Sequence, residues 1–258
     1  MTQPAGVGPS REFSFADHFS AHAGQYAAYR PRYPAALFHW LATIAPGTQL
    51  AWDVGTGNGQ VAHGLVTRFA RVVATDASVE QLSHAPPHPR ITYAVTSYES
   101  GIVAGSAQLV TVGQALHWFD LGAFTSEVRR VLQPRGVLAA FAYGHNRVAP
   151  EIDALVRHHH DVTLGRHWPR EHMLIHEGYR SLALPIDELV PPPLEMREEW
   201  TLAQFVGFLR TWSATQRMLK AGGAAEVEAF EQALGERWGP VPRRMVSWPM
   251  VIRAGEVR

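Results

Sequence analysis

The sequence predicts an α/β protein built on an open, mostly parallel sheet, and three observations carry that expectation. Short apolar and partly β-branched runs recur at residues 50–54, 72–75, 91–95, 109–112 and 137–142, the pattern of strands buried on both faces. Helix-compatible segments at 60–69, 79–84 and 121–132 lie between them, and such alternation is the sign of right-handed crossovers over a parallel sheet. Three alternating glycines, Gly55, Gly57 and Gly59, join the first strand to the helix-like segment that follows it.

Taken in order, residues 1–12 are rich in Gly, Pro and Ser and read as a frayed tail. Apolar and aromatic residues at three- and four-residue spacing predict helices over 15–29 and 35–44. Between them Arg30-Pro31-Arg32-Tyr33-Pro34 must bend, because proline pushes the residue before it out of helical conformation. After Asn146 the alternation stops; helices are expected over 149–164 and 202–218, and the apolar run 246–253 is expected as an edge strand returning to the sheet. The expected organisation is N-terminal helices over the site in 1–48, an α/β core in 49–145, and a helical cap with returning C-terminal strands in 146–258. A chain of 258 residues suits one large domain or a domain with a cap, since single cores stop growing near ~250–300 residues.

Composition narrows the chemistry. With 46% hydrophobic residues the chain buries a substantial core. Lys+Arg and Asp+Glu both number 23, so no net field draws in a nucleic acid or an anionic membrane. The absence of Cys removes disulfides, thiolate zinc sites and cysteine nucleophiles together. No signal-peptide pattern opens the chain and no run reaches the ~18 apolar residues of a membrane span. A soluble, cytoplasmic protein that acts on a small molecule is expected.

The most informative stretch is Asp53-Val54-Gly55-Thr56-Gly57-Asn58-Gly59-Gln60. Glycines at a strand-to-helix turn take positive φ and let the backbone approach a ligand, which implies a nucleoside cofactor. Gln60 stands where the dinucleotide fingerprint places its third glycine. Asp76 ends the second strand, where a carboxylate accepts hydrogen bonds from both ribose hydroxyls and repels a 2′-phosphate; alternatively it caps the helix after Ser78.

The spacing Asp53-x-Gly55-x-Gly57-x-Gly59 resembles motif I of the class I S-adenosylmethionine (SAM) methyltransferases. Gln114-Ala115-Leu116-His117-Trp118-Phe119, and Val131-Leu132-Gln133-Pro134-Arg135-Gly136 after it, resemble later motifs of the same family's small-molecule branch, the methyltransferase type 11 group. Tyr26, the Tyr29–Pro34 segment and Thr211-Trp212-Ser213-Ala214 resemble trans-aconitate methyltransferases within it. The resemblance implies a Rossmann-like sheet, mostly parallel with a C-terminal antiparallel edge, plus a helical cap. It implies SAM as cofactor, S-adenosylhomocysteine as product, and a small methyl acceptor, an organic acid among the candidates. Cofactor contacts are expected from Arg30, Asp53, Gly55, Gly57, Gly59, Asp76, Ala77, Thr96, Ser97, Tyr98 and Gln114, although Thr96 departs from the acidic residue many relatives carry. Acceptor contacts are expected from Tyr26, Tyr33, His117, Trp118 and Trp212. His117 is the candidate base or positioning group, or else a structural contact of the Arg30 loop. Arg30 is expected to pair with the SAM carboxylate, or to cover aromatic surface; Arg30 and Arg210 are candidate partners for an acidic acceptor.

Other constellations are weaker. The chain holds 14 His, yet His172 and His176 lack the Glu of an HExxH arrangement, and His158-His159-His160 reads as a solvated helix face. No metal is expected. The Trp residues at 168, 200, 212, 238 and 248 read as core and cap packing. An NAD-dependent oxidoreductase on a similar sheet and a non-catalytic SAM-binding protein remain the alternatives. The oligomeric state is not encoded in any motif.

Overall fold

The computed structural model describes residues 29–258. Most of the segment expected as helix over 15–29, and Tyr26 within it, lies outside the described residues. Helix α1 (Ala35–Ile44) begins directly after Pro34, whose extended backbone (φ −69°, ψ 144°) closes the bend, and buries Leu37, Phe38 and Leu41. Then come β1 (Leu50–Val54), α2 (Gln60–Leu65), β2 (Arg71–Asp76), α3 (Val79–Ser83), β3 (Ile91–Val95), β4 (Ala107–Gly113), α4 (Leu121–Val131) and β5 (Leu132–Tyr143). Side chains cap two of these helices. Ser78 caps α3 by accepting a hydrogen bond from Gln81 N–H, so the cap is not Asp76. Asp120 caps α4 by accepting from Gly122 and Ala123.

The chain continues through α5 (Pro150–His158), a π-helical turn at His159–Thr163, α6 (Met173–His176), β6 (Ile186–Glu188), β7 (Glu195–Trp200), α7 (Leu202–Arg210), α8 (Ser213–Lys220), α9 (Ala224–Trp238) and β8 (Arg244–Val257). The sheet order is β3-β2-β1-β4-β5-β8-β6. Strands β1 to β5 are parallel, and β8 runs antiparallel to β5, from Val137↔Glu256 to Tyr143↔Met250. β8 is not itself the edge: β6 pairs with its C-terminal end and β7 with its N-terminal half. All five residues of β1 are buried, as its apolar run predicted.

Three apolar clusters hold these layers together. One packs α4 and the 175–186 segment on one sheet face, around Trp52, Val110, Phe124, Leu138 and Tyr179. A second packs α1 and α2 on the opposite face, around Leu37, Phe38, Leu65, Phe69 and Phe141. The third joins the cap helices to β7 and β8, around Phe205, Phe208, Trp238 and Trp248. Each fully buried Phe or Leu contributes about 1.5–3 kcal/mol.

Two helices expected as continuous are interrupted. The 149–164 segment passes into the π-helical turn, which buries His159 and His160 rather than presenting a solvated face. His159 stacks on Phe230 with ring centroids 3.7 Å apart. The 202–218 segment breaks at Trp212, whose backbone is extended (φ −62°, ψ 133°). Side chains add hydrogen bonds to the carbonyls at the break: Thr215 Oγ1 donates to Leu209 O at 3.0 Å, beside the Trp212 N–H, and Gln216 Nε2 to Arg210 O at 2.8 Å.

Candidate active site

The chain winds from β1 to β3 in one direction and then crosses to β4, so the carboxyl ends of β1 and β4 form a topological switch point, where α/β sheets bind ligands. A chamber opens there, walled by the loop after β1, the end of β2, the loop after β3 and the end of β4.

The glycine loop divides its work. Gly55, Gly57 and Gly59 have φ of +66°, +58° and +82°, which favours glycine. A β-carbon on Gly55 would lie 2.6 Å from Ala115 Cβ, and one on Gly59 would lie 2.5 Å from the Tyr93 hydroxyl, so both are packed from behind. On Gly57 it would meet only Gln81 Oε1 at 3.7 Å. Gly57 is thus the residue whose missing side chain opens the cradle. Gly55, Thr56 and Gly57 line the chamber, whereas Gly59 starts α2 in left-handed conformation and does not.

The two aspartates also separate. Asp53 is 1% exposed beneath the loop, where Thr56 Oγ1 donates to it at 2.5 Å and Thr111 Oγ1 at 2.7 Å. Burial pushes its carboxyl up to about 7, with the two hydroxyls pulling back. It does not line the chamber. Asp76, 9% exposed, does. Its Oδ2 accepts from Gly57 N–H and its Oδ1 from Ser78 N–H, both at 2.8 Å. Burial raises its pKa while those backbone donors lower it. Each carboxylate oxygen has a further lone pair for a ligand hydroxyl.

Ala77, Ser97 and Tyr98 line the same chamber; Thr96 does not, and its N–H donates to Asp76 O at 2.9 Å. Gln114 lines it with φ +54°, a left-handed backbone uncommon outside glycine. Arg30, Pro31 and Tyr33 form a wall over the loop. Gln60 Nε2 donates to Pro31 O at 3.1 Å, so the residue that spoils the dinucleotide fingerprint holds this segment down. Arg30 Nη1 donates to the Tyr143 hydroxyl at 2.5 Å, and its guanidinium lies 5.8 Å from the Phe208 ring centre.

A second chamber adjoins the first and shares Arg30, Gln114, Trp118 and Tyr143 with it. Its other walls include His117, His145, Asn146, His160, Trp168, His172, His176, Phe208 and Trp212. The sequence placed His117, Trp118 and Trp212 at an acceptor site, and the fold brings them to this one chamber. Tyr33 lines only the first. His117 is 8% exposed; its Nδ1 lies 3.2 Å from the Tyr179 hydroxyl, it packs on Trp118, and it shares the chamber wall with Arg30. Burial pulls its pKa down to about 4. His160 is likewise lowered to about 4 and His172 to about 2, each first by burial. The rings are therefore neutral imidazoles. Arg210 does not reach either chamber; it pairs with Glu231. Tyr143, His145 and Asn146 carry no signal in the sequence, and His160 reads there only as part of a solvated face, because nothing local marks residues from separate elements that meet only in the fold.

Residues 52–140 match a family model described as a methyltransferase domain. A solved structure from Anaeromyxobacter dehalogenans, named as a type II methyltransferase, is 43% identical, with 88% of this chain and 98% of that chain covered and a TM-score of 0.83. A Dictyostelium discoideum protein carrying a methyltransferase name is 27% identical, with 85% of this chain and 86% of its own length covered. An uncharacterized methyltransferase of Mycobacterium tuberculosis is 35% identical over 122 residues, about half of either chain. The oxidoreductase alternative falls with these matches. Sheet order, glycine loop and full-length likeness agree: the chain belongs to the class I S-adenosylmethionine-dependent methyltransferases.

Proposed function

We propose that the chain transfers the SAM methyl group to a small organic molecule, with the cofactor in the glycine-loop chamber and the acceptor in the chamber beside it. The observation that carries this reading is the shared wall of Arg30, Gln114, Trp118 and Tyr143, where occupants of the two chambers would meet. SAM supplies a methyl group on a sulfonium, already activated, so the protein's task is to orient, to exclude water and to shape the local field. Gly57 admits the nucleoside to the loop, Asp76 takes the ribose hydroxyls, and Ser97 and Tyr98 flank the base. Arg30 supplies positive charge to the wall, for a carboxylate of cofactor or acceptor. His117 positions the acceptor; with its pKa near 4 it is a weak base.

An organic-acid acceptor is the finer part of the proposal. It is supported by Arg30 and by the resemblance of the Tyr29–Pro34 and 211–214 segments to trans-aconitate methyltransferases. Arg210, engaged with Glu231, is withdrawn as an acid partner. The test is a methyl-transfer assay across small carboxylic acids, phenols, amines, bulk protein and transfer RNA, read as S-adenosylhomocysteine and methylated product. SAM binding is measured in parallel by calorimetry, with Gly57→Val expected to abolish it. Turnover of small acids is expected. Turnover of amines or phenols alone discards the acid, and turnover confined to protein or RNA overturns the small-molecule reading. SAM bound with no turnover in any class favours a binding protein.

A further inference from the structure

We propose that His145, His160 and His176 form a binding site for one divalent transition-metal ion of the zinc class in the wall of the second chamber. The three arrive from separate parts of the fold: His145 just beyond β5, His160 in the π-helical turn, and His176 at the end of α6. One potential ligand atom from each lies within 4.8 Å of the others. Their ring centroids are 4.6 Å (His145–His160), 5.0 Å (His145–His176) and 5.0 Å (His160–His176) apart. Imidazole nitrogens bound at about 2.05 Å to one tetrahedral ion lie about 3.4 Å from one another. Binding would draw the three rings together by that difference, with His176, the exposed one of the three, as the side chain to move.

Two further features point to a ligand in this wall rather than to ring packing alone. His160 Nδ1 is 2.7 Å from Asp161 Oδ1, which orients the ring and leaves Nε2 on the opposite side, next to His172. A carboxylate behind an imidazole is the arrangement that fixes metal-ligating histidines. His160 Nε2 shares a hydrogen bond with His172 Nε2 at 3.4 Å, a bond that an ion at His160 would replace, and the His172 ring is held aside by stacking on Trp168 at 3.8 Å. Asn146, 5% exposed and in the same chamber wall, has both its amide nitrogen and its amide oxygen without a hydrogen-bond partner among the described residues. A buried amide in that state costs free energy until a ligand meets it. π-Helical turns also concentrate at functional sites.

The donor set selects the ion. Three imidazoles suit zinc, cobalt, nickel, copper or ferrous iron, whereas magnesium and calcium require oxygen ligands. Three protein ligands leave an open coordination position, as in catalytic zinc sites. That position would take an oxygen or nitrogen donor of the acceptor, and this last clause alone rests on the chamber assignment proposed above.

The test uses the full chain without an affinity tag, stripped of metal by a chelator and titrated with Co²⁺, followed by its visible absorption, and with Zn²⁺ in a calorimeter. Neither SAM nor acceptor is present, so the result is independent of methyl transfer. The expected result is one ion per chain, bound at least tenfold more weakly by His160→Ala and by His176→Ala, and about tenfold more weakly by Asp161→Asn. His63→Ala, in the half-buried His63–His88 pair on another part of the chain, is expected to leave binding unchanged. His176 is exposed, so its variant tests the site without disturbing the core. No bound ion, or an ion held equally well by both His variants, overturns the proposal.

Discussion

Two aspartates at the ends of neighbouring strands show how position decides a residue's work. Asp76 faces the chamber, so Asp76→Ala is expected to weaken SAM binding by about 1.5–3 kcal/mol, through the loss of charge-assisted hydrogen bonds. Because Ser78 caps α3, the helix should survive the change. Calorimetry with circular dichroism as the fold control checks this, and an unchanged dissociation constant removes Asp76 from the site. Asp53 lies behind the loop. Asp53→Ala removes the acceptor of the Thr56 hydroxyl and leaves Thr111 only its long contact to Trp52 O, and is expected to cost about 2–4 kcal/mol of stability. Chemical denaturation measures it; a loss below about 1 kcal/mol would mean that the hydroxyls find other partners.

At the scale of elements, the cap depends on an interrupted helix. Thr201 and Gln204 form a reciprocal capping box at the start of α7. Thr201→Ala should therefore lower stability by about 0.5–2 kcal/mol, read as a drop in Tm. The break before α8 turns Trp212 into the second chamber. Trp212→Ala is expected to raise the acceptor KM or lower kcat while leaving SAM affinity within about twofold, because Trp212 does not line the first chamber. An equal loss of SAM binding would mean that the two chambers do not divide the substrates.

For the whole molecule, buried neutral histidine makes folding sensitive to acid. The unfolded His117 takes a proton near 6.5 and the folded one only near 4. The unfolded state therefore binds more protons between those values, and stability is full above pH 6.5 and falls as pH drops toward 4. Each tenfold difference in proton affinity is worth about 1.4 kcal/mol, so His117 accounts for up to about 3 kcal/mol of that loss. Thermal unfolding from neutral pH down to about 4.5 should show Tm falling, with a shallower slope in His117→Gln. Parallel slopes in the two proteins would assign the acid sensitivity to other groups. No helix among the described residues is long and apolar enough to cross a membrane.

The alternation of apolar runs with helical segments was enough to determine the parallel half of the sheet. Residues 50–54 and 91–95 are strands with the expected bounds; β1 is buried on both faces, whereas β3, at the edge of the sheet, leaves Thr92 and Val95 exposed. The glycine loop was legible too, since positive φ at a strand-to-helix turn is written in residue type. The cap was not. The place of β8 between β5 and β6, the break at Trp212 and the π-helical turn at His159–Thr163 depend on partners far away in the chain. Local spacing carries no record of such pairing. The same reason hid the histidine cluster: His145, His160 and His176 share no helix face or motif, and only the docking of α5 and α6 against the end of β5 brings their nitrogens within reach of one ion.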